Sequence, residues 1–189
     1  MAVTSHECNH LFRYTGYVPH SQPPVLLDVC GDPAELLVQF LNTLDVDEGT
    51  DVLASREAWS GWLAEHELGD CFDTQEEPDL EQARQLRSDL RARASGAPCA
   101  QVREVGIQVA LTSDGQVELS SQTAVGFIAA AAAKVAIEQR LDRVKICPAD
   151  DCQWAFYDTS RNRSRHWCSM EVCGNRAKAR AHRERASAR

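Results

Sequence analysis

Apolar positions set the plan of this chain. From Pro33 onward Leu36, Leu37, Phe40, Leu41 and Leu44 recur at three- and four-residue spacing, the single stripe of an amphipathic helix. Asp32 is suited to its N-cap and Pro33 to its first turn. A second helix is predicted from Ser55 to about Glu67, with Ala58, Trp62, Leu63 and His66 on related faces. Trp59 and Trp62 share one side, which predicts core or the wall of a ligand pocket. A third starts at Pro78 and carries Leu80, Ala83, Leu86, Leu90 and Ala94, with Arg84, Arg87, Arg91 and Arg93 expected on a solvated face beside acids. Strict alternation then takes over in Val105–Leu111 and Gln116–Leu119, joined through Asp114-Gly115, the pattern of a β-hairpin. Thr123–Arg143 reads as one long alanine-rich helix, expected to be the central packing helix or a dimer contact.

Before and between these elements the pattern is weak. Residues 1–32 hold few periodic apolar positions, and Pro23-Pro24 predicts an extended turn ahead of a short strand at Val25–Val29. His6, Cys8 and His10 alternate, so an extended segment would place them on one face as a second metal site; a polar leader without a role is the competing expectation. Asp45, Asp47, Glu48 and Asp51 form an acidic loop without the glycine and closing glutamate of a calcium-binding EF-hand, hence a solvated loop. Residues 69–77 are polar, with Cys71 and Phe72 as anchors.

The chemistry is concentrated after Ile146. Cys147 and Cys152, then Cys168 and Cys173, form two pairs with four residues inside each and fifteen between them. Zn²⁺ takes four soft ligands in a tetrahedron, and two short knuckles delivering two thiolates each meet that demand. Met1–Tyr17 lacks an apolar signal segment, which predicts a reducing, cytoplasmic setting in which paired cysteines bind metal rather than form disulfides. Gly174 follows the last cysteine, where a knuckle is expected to need positive φ. Four thiolates leave no open coordination position, so the metal is expected to be structural. The chain also lacks a Gly-rich phosphate loop, a nucleophile elbow and a His-Glu helix motif, so no enzyme is predicted.

These residues carry a resemblance. The run WAFYDTSRNRSRHWCSMEVCGNRAKARAHR resembles the CGNR zinc finger, named for Cys173-Gly174-Asn175-Arg176, and FLNTLD at Phe40–Asp45 resembles the short signature of the preceding ABATE domain. The resemblance implies a bacterial transcriptional regulator with a mostly helical, stress-induced-regulator body. His166 stands where the family commonly has arginine, which lowers the local charge and puts an alternative ligand beside Cys168.

Charge distribution supports a polyanion partner although the net charge is -8. Residues 159–189 contain nine Lys/Arg and two acids, a net +7. The remaining 158 residues contain 11 basic and 26 acidic groups, a net -15. An acidic body with a basic tip confines contact with nucleic acid to the tip. Arg161, Arg163 and Arg165 on a polar turn, with Arg176, Lys178, Arg180 and Arg183 on a helix starting at Asn175, are the candidate DNA contacts. The strand Gln153–Asp158 should place its aromatics in a small finger core, with Trp167 beside the metal.

The sequence thus predicts an α+β protein: a leader (1–32), a mostly helical body with a β-hairpin (33–145) and a four-cysteine zinc finger with a basic helix (146–189). One structural Zn²⁺ per chain, double-stranded DNA, a homodimeric assembly and a small-molecule effector near Phe40, Trp59 and Trp62 are the expected partners. The longest apolar run, Ala124–Ala133, is too short to span a bilayer. Structured RNA, or an acidic protein meeting the basic tip, are the competing partners.

Overall fold

A computed structural model of the protein describes residues 25–27, 31–69, 71–72, 77–98, 103–111 and 113–187. The candidate site at His6, Cys8 and His10 lies outside them. The element order is β1 (Val25–Leu26), α1 (Pro33–Leu41), β2 (Leu44–Asp45), β3 (Thr50–Asp51), α2 (Arg56–Glu65), α3 (Glu77–Ser95), β4 (Gln108–Leu111), β5 (Val117–Ser121), α4 (Ala124–Ile137), β6 (Val144–Ile146), β7 (Ala155–Tyr157) and α5 (Asn175–Ser187). Among the described residues three small antiparallel sheets accompany the helices: β1-β5-β4, β2-β3 and β6-β7.

Local chemistry explains the starts. Asp32 accepts from Ala34 N–H at 3.0 Å with Pro33 in the first turn, Ser55 accepts from Ala58 N–H at 3.2 Å, and Thr123 accepts from Gly126 N–H at 3.0 Å. The stripe of α1 is buried along Leu36, Leu37, Phe40 and Leu41; α1 packs on α4, whose Phe127, Ile128, Ala131 and Val135 belong to the same buried core. Small residues on α4 permit the close approach. Ala124, Ala130 and Ala131 are fully inside, so they are core and not available as a dimer seam.

Several elements differ from the pattern-based expectation. The alanine-rich helix stops at Ile137 rather than Arg143, because Gln139 adopts φ 56° and Arg140 N–H turns back to Val135 C=O at 2.9 Å. Val144–Ile146, just beyond the expected end of the helix, form β6, a strand the pattern did not predict. The first hairpin strand is confined to Gln108–Leu111; of the strand expected at Val25–Val29, Val25–Leu26 form β1, and residues 28 and 29 lie outside the described residues. The acidic loop is a two-residue ladder, Leu44↔Asp51 and Asp45↔Thr50, whose turn is held by Asp45 Oδ1 accepting from Asp47 and Glu48 N–H.

Arg84, Arg87 and Arg91 of α3 are not a solvated face, whereas Arg93 is exposed and pairs with Asp142 at 2.5 Å. Arg87 is 6% exposed and forms a bidentate pair with Asp51 at 2.6 and 2.8 Å while also donating to Thr43 Oγ1 at 3.0 Å. Arg84 donates to Leu53 C=O at 2.7 Å, and Arg91 to Leu41 C=O at 2.8 Å and Gln153 C=O at 2.9 Å. The spacing of these arginines gives no sign of these contacts, which span 31 to 62 residues of the chain, although Arg84 also pairs with the local acid Glu81 at 3.3 Å. They bind α3 to the loops after α1 and to the segment before β7.

The β6-β7 sheet is continuous with the body. Asn42, just past α1, donates through Nδ2 to Ala155 C=O at 3.0 Å and accepts from Ala155 N–H at 2.7 Å, acting as a strand partner for β7. Arg140 joins Asp32 at the start of α1 (2.8 and 2.9 Å) to the Tyr157 hydroxyl at 3.0 Å. No described helix is long and apolar enough to cross a membrane.

Candidate metal centre and nucleic-acid interface

Two turns bring four sulfurs together. After β6, Cys147 N–H pairs with Trp154 C=O at 2.9 Å, and Cys152 and Gln153 N–H both close on Ala149 C=O at 3.0 Å, which shapes the first knuckle. In the second, Ser169 Oγ accepts from Val172 N–H at 3.2 Å and starts a π-type turn, Met170–Gly174, that runs directly into α5. The Sγ atoms of Cys147, Cys152, Cys168 and Cys173 all lie within 4.8 Å of one another. Cys152–Cys168 and Cys168–Cys173 are separated by 3.5 and 3.7 Å. A tetrahedron with Zn–S of about 2.3 Å has an edge of about 3.8 Å, so the donor set fits Zn²⁺.

The thiols themselves show the need for a cation. Burial pushes Cys147 up, but N–H groups of Cys168 and Ala149 aimed at its sulfur outweigh this and hold it below the ordinary thiol range. Burial, then neighbouring thiols, push Cys168 well above that range, and burial takes Cys173 up to about 11. Four adjacent thiolates repel one another unless a divalent ion neutralises them. When bound, Zn²⁺ supplies that charge and cross-links the two knuckles.

Around the sulfurs, Phe156, Trp167 and Ala149 form the finger's small apolar cluster. Trp154, expected there too, is at the surface at 39% exposure. Gly174 does not have positive φ. A Cβ there would come within 2.5 Å of Met170 Sδ and 3.3 Å of Trp167 Cδ1, so the exposed Met170 side chain would have to shift. His166 packs edge-on to Trp167 at 4.8 Å and is not part of the four-sulfur group.

The chain from 143 to 186 matches the CGNR zinc finger model, and residues 34–145 match a second family, ABATE, described as "Putative stress-induced transcription regulator". The second match alone covers more than half of the chain. The chain belongs to the ABATE family. No curated protein matches it. Together the two matches make it a regulatory zinc-binding protein.

The ABATE signature at Phe40–Asp45 now has a physical content. Phe40 and Leu41 are core, the Leu41 carbonyl receives Arg91, Asn42 receives β7, Thr43 receives Arg87, and Leu44-Asp45 form β2. Leu41 and Thr43 both receive arginines of α3, Asn42 receives β7, and two of the contacts lead towards the finger.

Sequence reasoning missed the residues that shape the arginine turn. Asp158 is fully buried; its carboxylate accepts from Lys145 Nζ at 2.6 Å and from the N–H groups of Ser160 and Arg165 at 2.9 and 3.0 Å. Burial acts to raise its pKa, and these donors, Lys145 foremost, override it and hold the group well below the usual carboxylate range. Lys145 also donates to the carbonyls of Arg163 and Arg165 at 2.6 and 3.1 Å, and Arg143 to those of Asp158 and Ser160 at 2.8 and 2.9 Å. Two cations thus close the loop from inside. A lysine and an aspartate 13 residues apart carry no local signal of this role.

The seven candidate DNA contacts fall into different settings. Arg161 projects from the turn and is exposed, and Arg163 lies 3.8 Å from Asp142. Arg165 is turned inward: it donates to Trp167 C=O at 3.0 Å and to Cys168 C=O, and its guanidinium lies 4.9 Å from the Phe156 ring centroid. On α5, Arg176 is 3.5 Å from Asp151, while Lys178, Arg180 and Arg183 are exposed. Phe40, Trp59 and Trp62 are buried against one another, the two indoles stacked at 5.2 Å and Phe40 edge-on at 6.1 and 6.2 Å.

Proposed function

We propose that this protein is a cytoplasmic, bacterial DNA-binding transcriptional regulator whose zinc finger contacts duplex DNA. The observation that carries the reading is α5: it leaves the second zinc knuckle directly, has no buried residue, and bears five Lys/Arg against one acid. The acidic body repels DNA, so the tip is the part of the surface that attracts it. Zinc orders the tip, and Asp158, Lys145 and Arg165 support the turn that carries Arg161 and Arg163. The family description points to regulation rather than catalysis.

The body takes the dimerisation role in this reading. An effector among Phe40, Trp59 and Trp62 would have to part three rings already in contact. By contrast β4 is a sheet edge among the described residues, and Val109, Leu111 and Val117 share one exposed apolar face of the hairpin. An edge strand can pair antiparallel with its own copy about a two-fold axis.

Binding of the zinc-loaded protein to a promoter fragment over a salt series tests the reading. Arg176→Ala with Arg180→Ala is expected to lower the slope of log K against log salt by about 1.8, and Arg163→Ala by about 0.9, at 0.9 per phosphate contact. Unchanged binding in both variants with zinc retained would leave the tip to an acidic protein partner instead.

A further inference from the structure

The faces of α5 bear on which nucleic acid, and which groove, this tip fits. A 13-residue helix is marginal in water without packing, and every described side chain of α5 except that of Ala177 is exposed. With 3.6 residues per turn, Arg176, Arg180 and Arg183 form one stripe, and Lys178 and Arg185 lie about half a turn round, on the opposite side. Two strips separate these cationic stripes. One holds Ala177, Ala181 and Glu184, and the shielding of Ala177 marks it as the side turned to the protein. The other holds Asn175, Ala179, His182 and Ala186 and points outward.

We infer that α5 lies in the major groove of B-form DNA with Ala179, His182 and Ala186 on the groove floor, one cationic stripe on each strand's phosphates. The inference rests on the DNA-binding reading above and deepens it. A helix with its side chains is about 10–12 Å across and the major groove about 12 Å wide. Phosphates wall that groove on both sides, so a helix inside it needs cations on two opposite flanks, whereas a helix lying across one backbone needs a single flank. Small side chains on the floor strip let the backbone approach the bases, and alanine methyls suit the thymine C5-methyl. His182 supplies the polar group on that strip. Asn175 is engaged as a cap, its Nδ2 donating to Glu171 C=O at 3.0 Å. The one acid, Glu184, is on the side away from the floor. The Arg176–Asp151 pair is half-exposed on both sides and is of the kind worth about 0–1 kcal/mol, so phosphate can displace it. Arg185 donates Nε to Ala181 C=O, and among the described residues its terminal nitrogens have no hydrogen-bond partner, so they can reach phosphate. A-form RNA has a deep, narrow major groove that side chains do not enter, so the same helix should refuse duplex RNA.

The test uses the full-length zinc-loaded protein and a mixed-sequence DNA duplex of about two helical turns, with an RNA duplex of the same sequence alongside. Methyl green, which occupies the major groove, is expected to displace the protein, and netropsin, which occupies the minor groove, is not. Ala179→Trp should weaken DNA binding at least tenfold, and Ala181→Trp less than twofold. Zinc content and helicity are checked in both variants. Lys178→Ala with Arg185→Ala should lower the salt slope by about 1.8, as loss of two phosphate contacts requires. If DNA is bound but netropsin competes, or the two tryptophan variants behave alike, or duplex RNA binds as tightly, the groove assignment is overturned while nucleic-acid binding stands. If neither duplex is bound, the DNA-binding reading falls and takes this one with it.

Discussion

Asp158 occupies the most demanding environment in the finger: a fully buried carboxylate whose donors come from β6 and from the turn it organises. Its folded pKa is depressed, so its stabilising contribution is complete above the unfolded carboxylate value of about 3.9 and is lost as pH falls through the folded value. Asp158→Asn keeps the shape and removes the charge that Lys145 faces. The expected cost is about 3 kcal/mol, the lower end for breaking a buried pair, because Lys145 is partly exposed. Thermal unfolding of the two proteins should differ by a constant amount above about pH 5, and the difference should shrink below about pH 4. A constant difference down to pH 2 would assign the loss to packing instead. Asp32 and Asp51, bound by Arg140 and Arg87, are lowered in the same direction despite the burial that opposes it, and add to the same acid limb. The sulfurs make a separate residue-scale prediction. Cys168→Ala should abolish zinc binding and the helicity of α5, while His166→Ala should retain one zinc per chain; metal analysis with circular dichroism reads both. Full zinc occupancy in the Cys168 variant would make His166 a ligand.

At the scale of elements, the decisive contacts join segments distant in sequence. Asn42 serves β7 as a missing strand, satisfying both backbone groups of Ala155. Asn42→Ala leaves the N–H and C=O of buried Ala155 without these partners, at an expected cost of about 1–3 kcal/mol. Hydrogen exchange should rise at residues 155–157 with the α1 amides unchanged; protection unaltered at 155–157 would remove Asn42 from the docking of the finger. The same contact shows what periodicity conveys. The apolar stripes of α1 and α4 and the hairpin alternation were legible because each is fixed by neighbours within a few residues. The paired cysteines were legible because a knuckle is a local turn and zinc geometry restricts its spacing. Arg87 and Lys145 were not, since an arginine among acids on a helix looks the same whether its partner is solvent or a buried Asp51. The end of α4 was hidden for another reason: Gln139 in a left-handed conformation stops the helix without a glycine to announce it.

For the whole molecule, the separation of charge sets the affinity problem. A body at -15 opposes the approach of DNA while a tip at +7 favours it. One finger covers a modest interface, about 600–1,000 Å². Two fingers held by one dimer would double the phosphate contacts and place two α5 helices on a two-part site, with a half-site spacing of about one helical turn or a multiple of it. The body–finger junction suits this, because Asn42, Arg91 and Arg140 tie the finger to the body and the dimer seam can then fix the distance between tips. Leu111 is 78% exposed, so Leu111→Asp should leave the monomer fold intact while placing like charges across the two-fold. The expected result is a halved mass by light scattering, unchanged binding to a single half-site and at least a hundredfold weaker binding to the paired site, the scale of lost avidity. If the wild-type protein is itself monomeric at binding concentrations, the dimer is wrong. If the variant keeps the dimer mass, the seam lies elsewhere, and the partly buried residues Ala132 and Ala133 of α4 are the next surface to change.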